Sequence, residues 1–432
     1  MQFNNLYSLL TVELLGACFE GLRGDAASGI DEVTKEQYAE HLEANLADLE
    51  ARLHRMAYRP QAVRRVYIPK PGSDKRRPLG IPALEDKLVQ AALVRILECV
   101  YEADFEGFSY GFRPGRSCHD ALGDLHRTAE SGWVHWVVEA DIQRFFDTVD
   151  HAWLLKFLGH RIADRRVVRL VTRFLKAGVL EDGVVRATQE GTPQGGVISP
   201  LLANVYLHYA LDLWFARVET KRCEGRARLI RYADDFVACF ESEADARRYR
   251  EDLEARLAQF GLCVEPPKTK VLAFGPSAAY RARKAGRGKP ETFDFLGFTH
   301  YCGRSRNGRR FRVKRRTARK KYRAKLKALK EWLRRCRAAY PTRELWQLFG
   351  QKLEGHFRYY GVTDNYRALV RFAHAAERLL FQWLNRRGGK KHLTWACFAR
   401  LKQLFPFPRP RIHVDLYARP TAAPVQGHLF AH

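Results

Sequence analysis

Leu229-Ile230-Arg231-Tyr232-Ala233-Asp234-Asp235-Phe236-Val237-Ala238-Cys239-Phe240 is the stretch on which the fold turns. Two apolar runs, Leu229 to Ile230 and Phe236 to Phe240, flank a Tyr-Ala-Asp-Asp tetrapeptide, which predicts a β-hairpin with neighbouring carboxylates in its tight turn. Adjacent like charges are costly unless water or a cation screens them. An exposed Asp-Asp turn meets that need through water. A pair of Mg²⁺ ions meets it through hard oxygen ligation, and can serve both sides of an in-line phosphoryl displacement. The tetrapeptide alone leaves both readings open.

A third carboxylate bears on the choice. His135 to Ala140 reads as a strand rich in aromatic and β-branched residues, and it ends at Asp141. Ile142-Gln143-Arg144-Phe145-Phe146-Asp147-Thr148-Val149-Asp150-His151 follows, and the order closely resembles the first metal-binding motif of reverse transcriptases. Tyr232 to Asp235 resembles their second. Gln189 to Asn204 (QEGTPQGGVISPLLAN) is more specific, and on it the chain is identified as a member of the group II intron reverse transcriptase and maturase family. Tyr58 to Pro69 and Arg76 to Asp86 match the fingers motif, Tyr110 to Ser117 (YGFRPGRS) the segment before the palm, and Phe295 to Phe298 (FLGF) the primer grip. The resemblance runs from about Gly29 to about Ile412. It departs at Glu32, where the family usually has Gly, and in a short region before Ala26, and no following endonuclease domain is expected.

The resemblance implies an α+β right-hand polymerase: an N-terminal helical extension (1–57), fingers and an antiparallel palm sheet (58–302), and a helical thumb or maturase domain (303–432). It implies that Asp141, Asp234, Asp235 and the carbonyl of Ile142 hold two Mg²⁺ ions, with Mn²⁺ as an alternative. Phe146 stands where this class places the aromatic that excludes a 2′-hydroxyl; beside Phe145 it also reads as a core residue. Lys75, Arg76 and Arg77 are candidates to grip the triphosphate, since several cations must neutralise an incoming nucleotide. Gln194, Gly195 and Gly196 would lie near nucleotide and template, glycine letting the backbone approach, or would form a simple turn. Lys268 would protonate the leaving pyrophosphate, or would be an exposed salt-bridge lysine. Leu296 and Gly297 would position the primer terminus through their backbone.

Composition fits these expectations. Net charge is +27 with 46% hydrophobic residues, so a folded binder of polyanions is expected. No apolar run of about 18 residues and no signal peptide is evident, which points to the cytoplasm or the nucleoid and away from a membrane. The nine cysteines contain no Cys-x-x-Cys pair, so neither a zinc site, as in an appended HNH nuclease, nor a disulfide framework is expected.

Periodicity predicts a helix over Asp31 to Leu53 with Thr34 as its cap. A basic hairpin with strands at Val63 to Pro69 and Pro78 to Pro82 should follow, turning at Pro71 to Asp74. A core helix is predicted over Asp86 to Tyr101, an exposed loop over Ala278 to Pro290, and helices over Trp346 to Tyr360, Tyr366 to Trp383 and Leu393 to Leu404. Between Arg304 and Arg337 Lys and Arg dominate and Glu331 is the only acid. A helix with one positive face is expected there, with Lys314, Arg315, Arg316, Arg319 and Lys320 contacting RNA phosphates, or else merely solvated.

The expected function is RNA-directed DNA synthesis on structured intron RNA, with a DNA primer and target and deoxynucleotides, and with assistance to splicing through shape recognition. A splicing or RNA-folding module with an incidental polymerase site is one alternative. A free-standing reverse transcriptase recruited to repair or phage defence is another.

Overall fold

The computed structural model describes residues 1–69, 76–181, 184–186, 191, 195–387 and 393–418, with backbone alone at 69 and 184–186. The chain divides into two compact units, Met1–Leu296 and Gly297–His432.

The first unit opens with α1 (Val12–Glu20), α2 (Lys35–Ala39) and α3 (Leu42–His54). Thr34 caps α2 as predicted, in a reciprocal box with Gln37. The single predicted helix is nevertheless broken. His41 leaves the helical region at φ −131°, and the Asn45 side chain donates to the Tyr38 carbonyl. The break lets Tyr38 and the Leu46-Leu49-Leu53 stripe all reach the interior.

Strands β1 (Val63–Pro69) and β2 (Arg76–Ile81) form the basic hairpin, with Arg64 opposite Ile81 and Pro69 opposite Arg76. The turn predicted at Pro71 to Asp74 lies outside the described residues. β1 also pairs in parallel with β4 (Val179–Glu181), which pairs with β5 (Val184–Arg186). Helix α4 (Leu84–Tyr101) buries the predicted apolar face, and α5 (Cys118–Glu130) starts at a Ser117–Asp120 capping box.

A second sheet has the order β6-β7-β3-β8, built from β3 (Trp136–Asp141), β6 (Ala227–Tyr232), β7 (Asp235–Phe240) and β8 (Lys270–Ala273), all antiparallel. Phe236 to Phe240 are buried on both faces, which explains a continuous apolar run where a one-sided strand would alternate. Between β3 and β4 lie α6 (Phe145–Thr148), α7 (His151–Gly159) and α8 (Arg165–Lys176). Helix α9 (Ser199–Leu207) continues through two π-helical turns, His208–Asp212 and Phe215–Glu219, into α10 (Thr220–Arg222). Helix α11 (Glu243–Ala258) packs on β3 and β7. Residues 278–290 are not the loop expected of them: α12 (Ala278–Lys284) buries Ala278 and Ala282, an i,i+4 pair hidden in the sequence by surrounding Arg and Lys. β9 (Thr292–Phe295) completes the unit.

The second unit starts with an antiparallel hairpin, β10 (Phe298–Arg304) and β11 (Phe311–Thr317), followed by α13 (Arg319–Ala339), α14 (Thr342–Tyr360), α15 (Tyr366–Leu384) and α16 (Trp395–Leu404). Leu333, Phe349, Leu353, Phe357, Leu369 and Leu380 form its interior. The basic helix expected from Arg304 begins only at Arg319. Before it, Val313, Arg315 and Thr317 point inward with a period of two, while Lys314 is half-buried and Arg316 exposed. Asn365 ties this strand down, accepting the Thr317 N–H at 2.7 Å and donating to Thr317 Oγ1 and the Tyr360 carbonyl. Among the described residues no helix is long and apolar enough to cross a membrane.

Candidate active site

Strand pairing in the second sheet assembles the carboxylates. Asp141, the last residue of β3, lies directly opposite Asp235, the first of β7, and Tyr232 pairs with Asp235 to close the β6–β7 hairpin over Ala233 and Asp234. Ala233 takes a left-handed conformation, φ 56°, which a residue with a Cβ adopts only at a cost.

Buried contacts hold that turn. Gly111 packs so tightly beneath it that an added Cβ would lie 2.3 Å from the Ala233 nitrogen. The Arg231 side chain, fully buried, donates to the Ala233 carbonyl at 3.0 Å and to Asn204 Oδ1 at 3.1 Å. Its remaining donors pair with the equally buried Asp212, at 2.8 and 2.5 Å. Asn204 in turn donates to the Gly111 carbonyl at 2.7 Å. Asp212 sits on the first π-helical turn, a distortion that often accompanies functional sites. Of the seven described non-glycine residues with positive φ, Phe112, Arg144, Ala233 and Leu296 all lie at or beside this centre, the pattern expected where surroundings over-determine a strained backbone.

The electrostatics favour a cation. Burial, then repulsion from Asp141, pushes the Asp235 carboxyl up to about 7, and burial raises that of Asp234. Arg77 on β2 is close enough to act on Asp234 in the opposite sense. Glu139, two residues before Asp141 on β3, is raised to about 7, chiefly by burial. Among the described residues no group of three or more His, Cys, Asp or Glu side chains is gathered into a metal cluster. The Lys268 ammonium instead pairs with Asp141, and with Glu265 at 2.7 Å. The donor set of hard carboxylate oxygens still suits divalent ions, and the ammonium on Asp141 shows a positive charge where such an ion would be welcome.

Ile142 is bridged to Val264, with the flanking bonds running from Gln143 N–H to Cys263 O and from Glu265 N–H to Asp141 O. Ile142's own carbonyl is therefore not used by that bridge. Lys268 keeps its proton more firmly than a free lysine: burial works against this, but Asp141 and Glu265 outweigh it. Arg76 and Arg77 are exposed on β2. Phe146 is half-buried and edge-on to the buried Phe145 at 5.4 Å, and a Cβ added at Gly191 would lie 2.9 Å from its carbonyl oxygen. Gly195, at φ 109°, runs against β2, where an added Cβ would meet the Gly80 oxygen at 2.4 Å; close packing on the hairpin accounts for this glycine. Lys75 and Gln194 lie outside the described residues. The Leu296 N–H points at Asp235 Oδ2 at 3.5 Å, with φ 49°.

In the second unit, Gly297 has φ 82° and its carbonyl accepts the Ala318 N–H. Arg316, Arg319 and Lys320 are exposed and Lys314 half-buried. Arg315 corrects the expectation, because its side chain is wholly buried and donates to the Val313 carbonyl at 3.1 Å. It is a framework residue and cannot reach a phosphate.

Arg231, Asp212, Asn204 and Gly111 were not legible as site residues. One signal existed: Arg231 interrupts an apolar strand next to the carboxylates, where a solvated cation has no reason to sit.

Residues 68–300 match the reverse transcriptase (RNA-dependent DNA polymerase) family. The chain is similar to the group II intron-encoded protein LtrA of Lactococcus lactis subsp. cremoris, 43% identical over 219 residues, which cover 51% of this chain and 33% of that protein. It is 37% identical over 281 residues to protein YkfC of Escherichia coli K12, covering 58% of this chain and 73% of YkfC. A 91 kDa protein in the cob intron of Schizosaccharomyces pombe is 43% identical over 145 residues, 34% of this chain and 18% of that protein. The chain thus spans about a third of the length of the Lactococcus relative.

Proposed function

We propose that this chain, which belongs to the group II intron reverse transcriptase and maturase family, copies RNA into DNA at the Asp141–Asp234–Asp235 centre and binds intron RNA to assist its splicing and mobility. The observation that carries the reading is the register that sets Asp141 opposite Asp235, with Asp234 in the adjoining turn. A pure RNA binder has no physical need to bury carboxylates at such cost beside a polyanion.

In this reading Asp141, Asp234, Asp235 and the Ile142 carbonyl would hold two Mg²⁺ ions. When bound, these supply charge neutralisation and activation of the primer 3′-hydroxyl. Arg76 and Arg77 grip the triphosphate, and Phe146 meets the sugar. The Leu296 N–H fixes Asp235 and aligns the primer end. Lys268, which pairs with Asp141 and Glu265, would be the proton donor to the leaving pyrophosphate. The first unit serves as fingers and palm, and the second as thumb and maturase domain.

The test is extension of a DNA primer on an RNA template with Mg²⁺ and deoxynucleotides. Full-length DNA is expected. Tight RNA binding with no extension under Mg²⁺ or Mn²⁺ would leave the splicing module as the better reading.

A further inference from the structure

We propose that Phe112 is an apolar contact for the template–primer duplex beside the catalytic turn, a role that rests on the polymerase reading above. Phe112 is 46% exposed, and its backbone lies at φ 58°. A bulky residue gains nothing locally from that conformation, which Gly, Asn or Asp adopts far more readily. Among the described residues its ring makes no aromatic or cation contact, and nearly half of it faces solvent.

The strain is imposed from both sides. Before it, Gly111 is wedged against Ala233 and its carbonyl is held by Asn204. After it, Arg113 is only 6% exposed; its Nη1 donates to the Glu106 and Ser109 carbonyls at 2.8 and 2.9 Å, and its Nη2 pairs with Glu102 at 2.9 Å. With both neighbours fixed, the ring at 112 is held outward, one residue from the backbone that carries Asp234. A rigid aromatic surface at that position suits the sugars that line the groove of a bound duplex. Such contact is tolerant of sequence, because every nucleotide offers the same kind of surface, and a polymerase copying arbitrary templates needs that tolerance.

Two substitutions relax the backbone while removing the ring: Phe112→Gly and Phe112→Asn. A residue tolerated only as a turn former should become more stable and lose nothing. A duplex contact should also become no less stable, yet bind a recessed RNA/DNA duplex about tenfold more weakly by fluorescence anisotropy without nucleotide. In single-nucleotide addition the loss should fall on KM for the duplex more than on kcat, and Phe112→Tyr should restore affinity. Duplex affinity in Phe112→Gly and Phe112→Asn equal to wild type, or a Phe112→Tyr variant as weak as Phe112→Gly, would overturn the proposal. Binding is measured without catalysis, so a wild type inactive in nucleotide addition, together with the affinity loss in Phe112→Gly and Phe112→Asn, would reject the polymerase reading and leave the contact standing.

Discussion

Replacing Arg231 by Met should cripple the protein twice, and a second substitution should repair only one of the two defects. Both Arg231 and Asp212 have no exposed side-chain surface, and burial already raises the Asp212 carboxyl with its partner in place. Removing one member of such a pair leaves an uncompensated group in the interior and typically costs about 3–5 kcal/mol. Set against the roughly 5–15 kcal/mol that separates folded from unfolded chains, this is a large loss. Arg231→Met/Asp212→Leu should recover most of it, because apolar residues of similar size replace buried ion pairs at little net cost. Activity should not return. The Ala233 carbonyl and Asn204 Oδ1 have still lost the Arg231 donor, so the strained turn carrying Asp234 is unheld. Urea midpoints report the first effect and single-nucleotide addition at saturating substrate the second. Single substitutions that each cost less than about 1 kcal/mol, or a double variant with wild-type turnover, would refute the bracing argument.

Three further outcomes follow from particular contacts. Phe146→Ala should raise ribonucleotide incorporation relative to deoxyribonucleotide; if Phe146 only packs on Phe145, both rates should fall together. Glu32, exposed at φ 54° where the family usually has Gly, should gain about 1 kcal/mol on Glu32→Gly, read as a higher unfolding midpoint; no gain would mean that the backbone there is unstrained. Changing Lys314, Arg316, Arg319 and Lys320 to Gln should flatten the salt dependence of RNA binding by somewhat under one unit of log–log slope per lost contact, whereas Arg315→Gln should lower stability and leave the slope alone.

The Asp234–Asp235 hairpin was readable because local pattern and tertiary position coincide there: apolar runs on both sides, charge only in the turn, and a motif of fixed spacing. The register that brings Asp141 opposite Asp235 is set by pairing between strands nearly a hundred residues apart, and only resemblance suggested it. Arg315 was misread for a physical reason. In a segment so rich in Lys and Arg, the period-two burial of Val313, Arg315 and Thr317 is hidden by charge, and a buried arginine looks like any other cation. The break at His41 and the short helix at Ala278–Lys284 escaped similarly, since each depends on which small or polar side chain finds a partner in the folded interior. Positive φ at Phe112 and Ala233 could not be anticipated at all, because neither residue type announces it.

In the proposed function Asp141, Asp234 and Asp235 form a cation-dependent DNA-synthesising centre. Single-nucleotide addition to a DNA primer on an RNA template with Mg²⁺, comparing wild type with Asp234→Asn, decides whether they do. Addition by the wild type, its reduction to background in the variant, and nearly unchanged RNA affinity and unfolding midpoint are the predicted results. Near-normal addition by Asp234→Asn would contradict the site, whatever the family resemblance.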